Sequence, residues 1–194
     1  MSQIKIKKPS KDLLISSEML HNLFTYDQST GFLIHKVRTE GHNVRDWNSK
    51  YAGKSAGTKQ NKGYISITIK TSKGRKSYLA HRVIFMLLYG TIPDEVDHIN
   101  RDRSDNRIEN LRGATHSQNQ AHRTQVTISK SGYRGVWFDK GTGKWRAGIS
   151  VDGKGKTIGR YATKELAAMA YNASAVLHHG EFATLNEVAH TPQP

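Results

Sequence analysis

An α+β fold is predicted from three features of the chain. Residues 63–70 (GYISITIK) alternate, with Ile65, Ile67 and Ile69 on one face and Ser66, Thr68 and Lys70 on the other, as in a half-buried strand. Residues 81–89 show no alternation and, behind Arg82, are nearly all apolar, as in a buried helix. Residues 133–161 hold three strand-like stretches, followed by a segment of helical spacing.

Taken in order, residues 1–19 read as a basic, loosely ordered lead-in. From Leu20 short strands are expected, with a turn over 26–31 (YDQSTG) and a strand over 32–34. Residues 38–62 are rich in Gly, Asn, Ser and Lys and read as one long loop. The 63–70 strand turns at 72–75 and returns over 77–80, giving a hairpin. The helix over 81–89 is stopped by Gly90 and Pro93. Residues 96–100 are extended, 101–107 form a polar turn, and 108–111 supply a brief apolar plug. Thr115 has the character of an N-cap, opening a helix through Gln118, Asn119 and His122. A polar linker over 125–131 is the expected boundary, separating residues 20–124 from 132–188, with a tail over 189–194. Beyond it, strands over 133–138, 144–151 and 156–161 are separated by glycine-rich turns. Thr163 then caps a helix through His178, with Leu166, Ala167, Ala170, Ala173 and Leu177 as its repeating apolar positions. A three-stranded sheet packed on one helix is the economical architecture for this half.

The chain holds 30 Lys+Arg against 16 Asp+Glu, a net charge of +14, which recruits polyanions. A membrane partner is disfavoured, since no basic amphipathic helix stands beside an aromatic anchor and no apolar run reaches spanning length. Residues 1–10 are Lys-rich with no apolar stretch after them, unlike a signal peptide, and a cytoplasmic setting, in a bacterial host or phage-infected cell, is expected. Cysteine is absent, which excludes disulfides and thiolate zinc sites. The charge is uneven: residues 1–80 carry 15 basic and 5 acidic groups, 81–125 carry 6 of each, and 126–194 carry 9 and 5. Carboxylates repel phosphate unless a cation sits between them. A neutral centre with Asp94, Glu95, Asp97, Asp102, Asp105 and Glu109 between basic flanks suits metal-assisted chemistry on a polyanion, and equally a solvated acidic loop.

Asp97 and His98 are the candidate pair within that centre. Phosphodiester hydrolysis needs a base for water and a cation on the phosphate. Neighbours on a strand point to opposite sides, so the two side chains flank a substrate only where the strand bends or twists. Asparagine is a neutral oxygen ligand suited to a hard ion such as Mg²⁺.

The stretch VDHINRDRSDNRIENLRGATHSQNQ, residues 96–120, resembles the HNH nuclease motif of phage and intron-encoded homing endonucleases. Tyr26-Asp27, Thr30-Gly31, Gly63-Tyr64 and Leu79-Ala80-His81-Arg82 resemble the same family, extending the likeness over about residues 20–123. The resemblance implies a ββα-metal unit preceded by β-hairpins, a site-selective DNA endonuclease, and one divalent ion per active site, Mg²⁺ with Mn²⁺ as substitute. By position, Asp97 is implied as metal ligand, His98 as the base that activates water, Asn110 as the asparagine bracing the loop, and Asn119 as second ligand. Asn100, Asp105 and Asn106 fit as turn-formers. His81 either faces the site or packs against it. Relatives that carry a structural zinc hold it by Cys pairs, so none is expected here; a site from His81, His98, His116 and His122 is the weaker rival.

Residues 131–187 resemble the APETALA2-type DNA-binding domain, known from plant transcription factors and attached to some phage and mobile HNH nucleases. The matching residues are Tyr133-Arg134-Gly135-Val136, Gly143-Lys144-Trp145, Ile158-Gly159-Arg160-Tyr161, Ala167-Ala168-Met169-Ala170-Tyr171 and Leu185-Asn186. The likeness implies a sheet laid into the major groove of double-stranded DNA. Alternation puts Trp145, Ala147 and Ile149 toward the helix, and Lys144, Arg146, Gly148 and Ser150 outward. Arg134, Trp137, Lys154, Lys156 and Thr157 extend the expected DNA surface. No small-molecule cofactor is implied, and the chain is expected as a monomer or weak dimer. The competing reading is a non-catalytic DNA-binding regulator on a nuclease-derived scaffold.

Overall fold

The computed structural model describes residues 14–123 and 130–188. The start of the expected lead-in, most of the expected linker and the expected tail lie outside the described residues. The chain forms two compact units, one ending at Thr115 and one beginning at His116. Helices and small antiparallel sheets are mixed in both, as the α+β reading predicts. Among the described residues no helix is long and apolar enough to cross a membrane.

In the N-terminal unit, helix α1 (Ser17–Leu23) stands where the lead-in and first strand were expected. Ser16 caps it, its Oγ accepting from the Met19 amide at 3.1 Å and satisfying a donor that a helix start leaves open. Strands β1 (Phe24–Asp27) and β2 (Phe32–His35) form an antiparallel hairpin. The turn is therefore shorter than 26–31; Asp27 gathers it by accepting from the Ser29 amide and the Ser29 and Thr30 hydroxyls.

The expected long loop over 38–62 contains helix α2 (Val44–Tyr51) and strand β3 (Thr58–Lys59). Helix α2 buries no residue fully; its apolar stripe, Val44, Trp47 and Tyr51, is short and lies among polar residues. Its Trp47 and Tyr51 instead close on the His35 ring, with centroids 5.2 and 6.0 Å away, while the Arg38 guanidinium lies 3.5 Å over Trp47.

Strand β4 (Ile65–Thr71) is the centre of a sheet ordered β3-β4-β5, with β5 (Gly74–Leu79) antiparallel on its other edge. Ile67 and Ile69 are buried while Thr68 and Lys70 are exposed, as the alternation requires. Helix α3 (Ala80–Tyr89) adds Val83, Ile84, Met86 and Leu87 to the same core as Leu20, Phe24 and Leu33. It stops at Gly90, whose left-handed backbone lets its amide reach back to the Met86 carbonyl. Strand β6 (Glu95–His98) then pairs antiparallel with β7 (Leu111–Ala114) across the loop 99–110.

The C-terminal unit opens with helix α4 (His116–His122). Strands β8 (Val136–Asp139), β9 (Lys144–Val151) and β10 (Lys154–Tyr161) form an antiparallel sheet ordered β10-β9-β8, backed by helix α5 (Lys164–His179). Thr163 caps α5 through its hydroxyl, as expected. The buried face of α5 differs from the predicted one: Ala167, Ala168, Tyr171 and Ala175 are buried, whereas Leu166 and Leu177 are exposed. Small alanines let the helix approach the sheet closely, and that gain outweighs burying the larger leucines.

Candidate active site

The β6–β7 hairpin carries both Asp97 and His98, and both are buried, at 7% and 4% exposure. Their neighbours differ, as strand alternation requires. Asp97 faces Arg112 across the hairpin, and the Arg112 Nε and Nη2 both lie 2.9 Å from Asp97 Oδ2. His98 Nε2 lies 3.1 Å from Oδ1 of Asn106, itself 1% exposed. The His98 ring meets His81 edge-on, centroids 5.0 Å apart, with the Tyr64 ring at 6.1 Å.

The loop between the strands is held by side chains, since it has few backbone partners of its own. Asn110 accepts from the Asn100 amide at 2.9 Å and donates to the Asp105 carbonyl at 2.8 Å, tying both ends of the loop together. Asp105 is gripped through both oxygens by Arg107, which holds its carboxyl down at about 2. The Tyr26 hydroxyl donates to the Asn106 carbonyl at 3.0 Å, anchoring the loop to the first hairpin.

Burial lowers the His98 pKa from its ordinary 6.5, an effect opposed by the Asn106 hydrogen bond and by Asp97, Asp102 and Asp105. The ring is therefore neutral at pH 7 and able to accept a proton. His81 packs rather than reaching outward: it is 4% exposed, and its Nδ1 has no hydrogen-bond partner. Burial, then the His98 and Arg82 charges, lower its pKa to about 3. A histidine kept neutral by folding stabilises fully above its unfolded pKa near 6.5, and that contribution is lost as pH falls toward about 3. Moving from pH 7 to pH 5 is expected to cost about 2 kcal/mol through His81. Urea unfolding of wild type and His81→Phe checks this; an equally steep acid loss in the variant would remove His81 as the cause.

In the C-terminal unit, Asn119 is half-buried on α4. Arg134 is placed otherwise than on the expected sheet surface. It precedes β8, and its guanidinium donates to the Arg123 and Gln120 carbonyls at 2.6 and 3.4 Å, closing the C-terminal end of α4. Trp137, Lys144, Arg146 and Thr157 do share one face of the sheet by register. Arg146 donates to the Thr157 hydroxyl, and its guanidinium lies 5.3 Å from the Trp137 ring. The indole lies over Gly148, where an added Cβ would sit 2.7 Å from it.

Lys154 and Lys156 pair with Val151 and Ile149, which puts both lysines, though exposed, on the opposite face. A register shift between Thr157 and Gly159 then brings Arg160 opposite Arg146, onto the Trp137 face, where it bonds Asp139 at 3.0 Å. Counting by twos from Lys154 would put Arg160 on the lysines' face, and the bulge moves it to the other one.

Of the four histidines weighed as a zinc site, His81 and His98 lie in the N-terminal unit and His116 and His122 in the other. Among the described residues no group of three or more His, Cys, Asp or Glu is placed to hold a metal ion. Sequence reasoning missed Arg112, Asn106 and Tyr64 as neighbours of the central pair. Arg112 becomes legible once 95–98 and 111–114 are taken as paired strands.

Residues 78–121 match the HNH endonuclease family. An uncharacterized HNH endonuclease of Acanthamoeba polyphaga mimivirus is 33% identical over 111 residues, 56% of this chain; the match spans 57% of that relative's length. The structure describing DNA binding and cleavage by the HNH homing endonuclease I-HmuI aligns over 81% of this chain and 85% of its own, at 18% identity and a TM-score of 0.39. The segment holding α3, the Asp97-His98 hairpin and most of α4 is therefore where the chain is similar to the HNH endonuclease family.

Proposed function

We propose that the protein is a site-selective DNA endonuclease that hydrolyses phosphodiester bonds with one divalent metal ion per active site, of the homing or phage-encoded kind. The observation that carries the reading is the buried, neutral His98 beside Asp97, on a hairpin whose loop Asn110 braces, inside the HNH-matched segment.

The donors suit a hard ion: a carboxylate from Asp97 and, by the family resemblance, an amide oxygen from Asn119. A divalent ion, Mg²⁺ or Mn²⁺, held by the Asp97 carboxylate would supply charge stabilisation to the leaving oxygen. Arg112 holds the Asp97 carboxylate through Oδ2 and fixes its direction. His98 takes a proton from water as the water oxygen bonds to phosphorus, and the P–O3′ bond breaks. The Asn110 bracing keeps that ring in register.

The C-terminal sheet is proposed as an APETALA2-type module that grips double-stranded DNA through Trp137, Lys144, Arg146 and Thr157. Lys154, Lys156 and Arg134 stand off that face and are proposed only as phosphate contacts or as support. A non-catalytic DNA-binding role is the second reading, favoured by the Arg112 grip on Asp97, which offsets the charge that would attract a cation.

The deciding experiment is nicking of supercoiled DNA with Mg²⁺. Wild type is expected to nick and to stop with chelator, and His98→Ala to be slower by about 10²- to 10⁴-fold. Unchanged cutting by His98→Ala would sink the base assignment, and no cutting by wild type would favour the second reading. Arg146→Ala is expected to weaken binding or shift cut-site preference, leaving turnover on nonspecific DNA intact; gel-shift affinities alike in both proteins would count against the sheet as the DNA surface.

A further inference from the structure

We infer that Asn106 is a positioning residue that holds the His98 ring with its proton on Nε2, so that Nδ1 is the nitrogen that takes the proton from water. This rests on the reading of His98 as the base.

A residue that merely shapes a turn sits at the surface, yet the Asn106 side chain is among the most completely buried in the chain, at 1% exposure. A buried amide is costly unless its atoms are bonded, and both ends of this one are engaged. Its Nδ2 donates to the Ser104 carbonyl at 3.4 Å, which assigns the oxygen to the end facing His98. An oxygen there only accepts, so the His98 Nε2 at 3.1 Å carries the hydrogen. In a neutral imidazole the other nitrogen is then bare, and here that is Nδ1.

The backbone beneath the amide is fixed from a separate element. The Tyr26 hydroxyl holds the Asn106 carbonyl, and Gly31 lies so close that a Cβ on it would be 2.6 Å from the Asn106 carbonyl carbon. Asn106 thus transfers the rigidity of the first hairpin to the ring of His98. The adjacent His81 ring blocks one side of the imidazole edge-on, which restricts it further.

The test uses the full chain, ¹⁵N-labelled at histidine, with long-range ¹H–¹⁵N correlation to locate the imidazole proton, and plasmid nicking with Mg²⁺ in parallel. Wild type is expected to show His98 protonated on Nε2. Asn106→Leu is expected to lose the protected Nε2 proton and to lower kcat by about 10²-fold with KM for DNA unchanged. Asn106→Asp keeps an acceptor at that place and is expected to retain the Nε2 proton and nick within about tenfold of wild type. A wild-type His98 proton on Nδ1, or wild-type nicking by Asn106→Leu, overturns the inference. Where the Leu variant does not fold, the wild-type spectrum and the Asp variant still decide. Should wild type show the Nε2 proton but cleave no DNA with Mg²⁺ or Mn²⁺, the hydrolytic reading fails and the placement of the ring by Asn106 stands.

Discussion

Gly31→Ala is expected to destabilise the N-terminal unit by about 2–5 kcal/mol, combining left-handed backbone strain with overpacking. Gly31 has φ +74, a conformation that costs an L-residue about 1–2 kcal/mol. The added methyl would also lie 2.4 Å from the Arg107 amide nitrogen and 2.6 Å from the Asn106 carbonyl carbon. Both are backbone atoms of a loop pinned by Asn110 and by the Tyr26 hydroxyl, so relief requires moving the loop rather than rotating a side chain. That motion would draw Asn106 off His98, and nicking should fall together with stability. The measurement is urea unfolding of the variant beside wild type, with the slope unchanged and the midpoint lowered. A loss below about 1 kcal/mol would mean that the loop yields freely, contrary to its network of bonds.

Arg112→Ala is expected to cost about 3–5 kcal/mol, the usual penalty for removing one partner of a buried ion pair. The two side chains are 12% and 8% exposed, so water cannot replace the guanidinium once it is gone. The geometry predicts more than a large number. Replacing both residues together, Asp97→Leu with Arg112→Leu, is expected to recover most of the loss, because the desolvation penalty of the pair disappears with its attraction. The wild-type pair should also be insensitive to salt, since screening acts weakly on buried charges. Thermal unfolding of wild type and the two variants at low and high ionic strength checks all of this. A double variant no more stable than Arg112→Ala would show that Asp97 is held chiefly by other contacts.

Much of the architecture was readable because it follows from local periodicity. The alternation of residues 63–70 and the unbroken apolar run after His81 each became the element predicted, as did the sheet and single helix of the C-terminal half. Helix α2 reads as loop although Val44, Trp47 and Tyr51 keep helical spacing, because the Gly, Asn, Ser and Lys residues around them dominate the segment; aromatic and cation contacts hold it. The inner face of α5 was misassigned. Helical spacing pointed to Leu166, Ala167, Ala170, Ala173 and Leu177, whereas the buried face is Ala167, Ala168, Tyr171 and Ala175.

The amino-acid sequence by itself singled out the candidate pair Asp97-His98, through the resemblance of residues 96–120 to the HNH motif, which also implies roles for Asn110 and Asn119. It also determined the α+β class and the cationic character of the flanks. Only the tertiary structure decided what surrounds that pair. Arg112 meets Asp97 because two strands separated by a loop come into register, and Asn106 meets His98 because that loop folds inward under Tyr26 and Gly31. A bulge in β10 likewise decided that Arg160, and not Lys154 or Lys156, shares the face with Arg146. Such contacts depend on strand register, bulges and loop burial. These are set by packing between segments distant in the chain, and local sequence pattern carries no record of them.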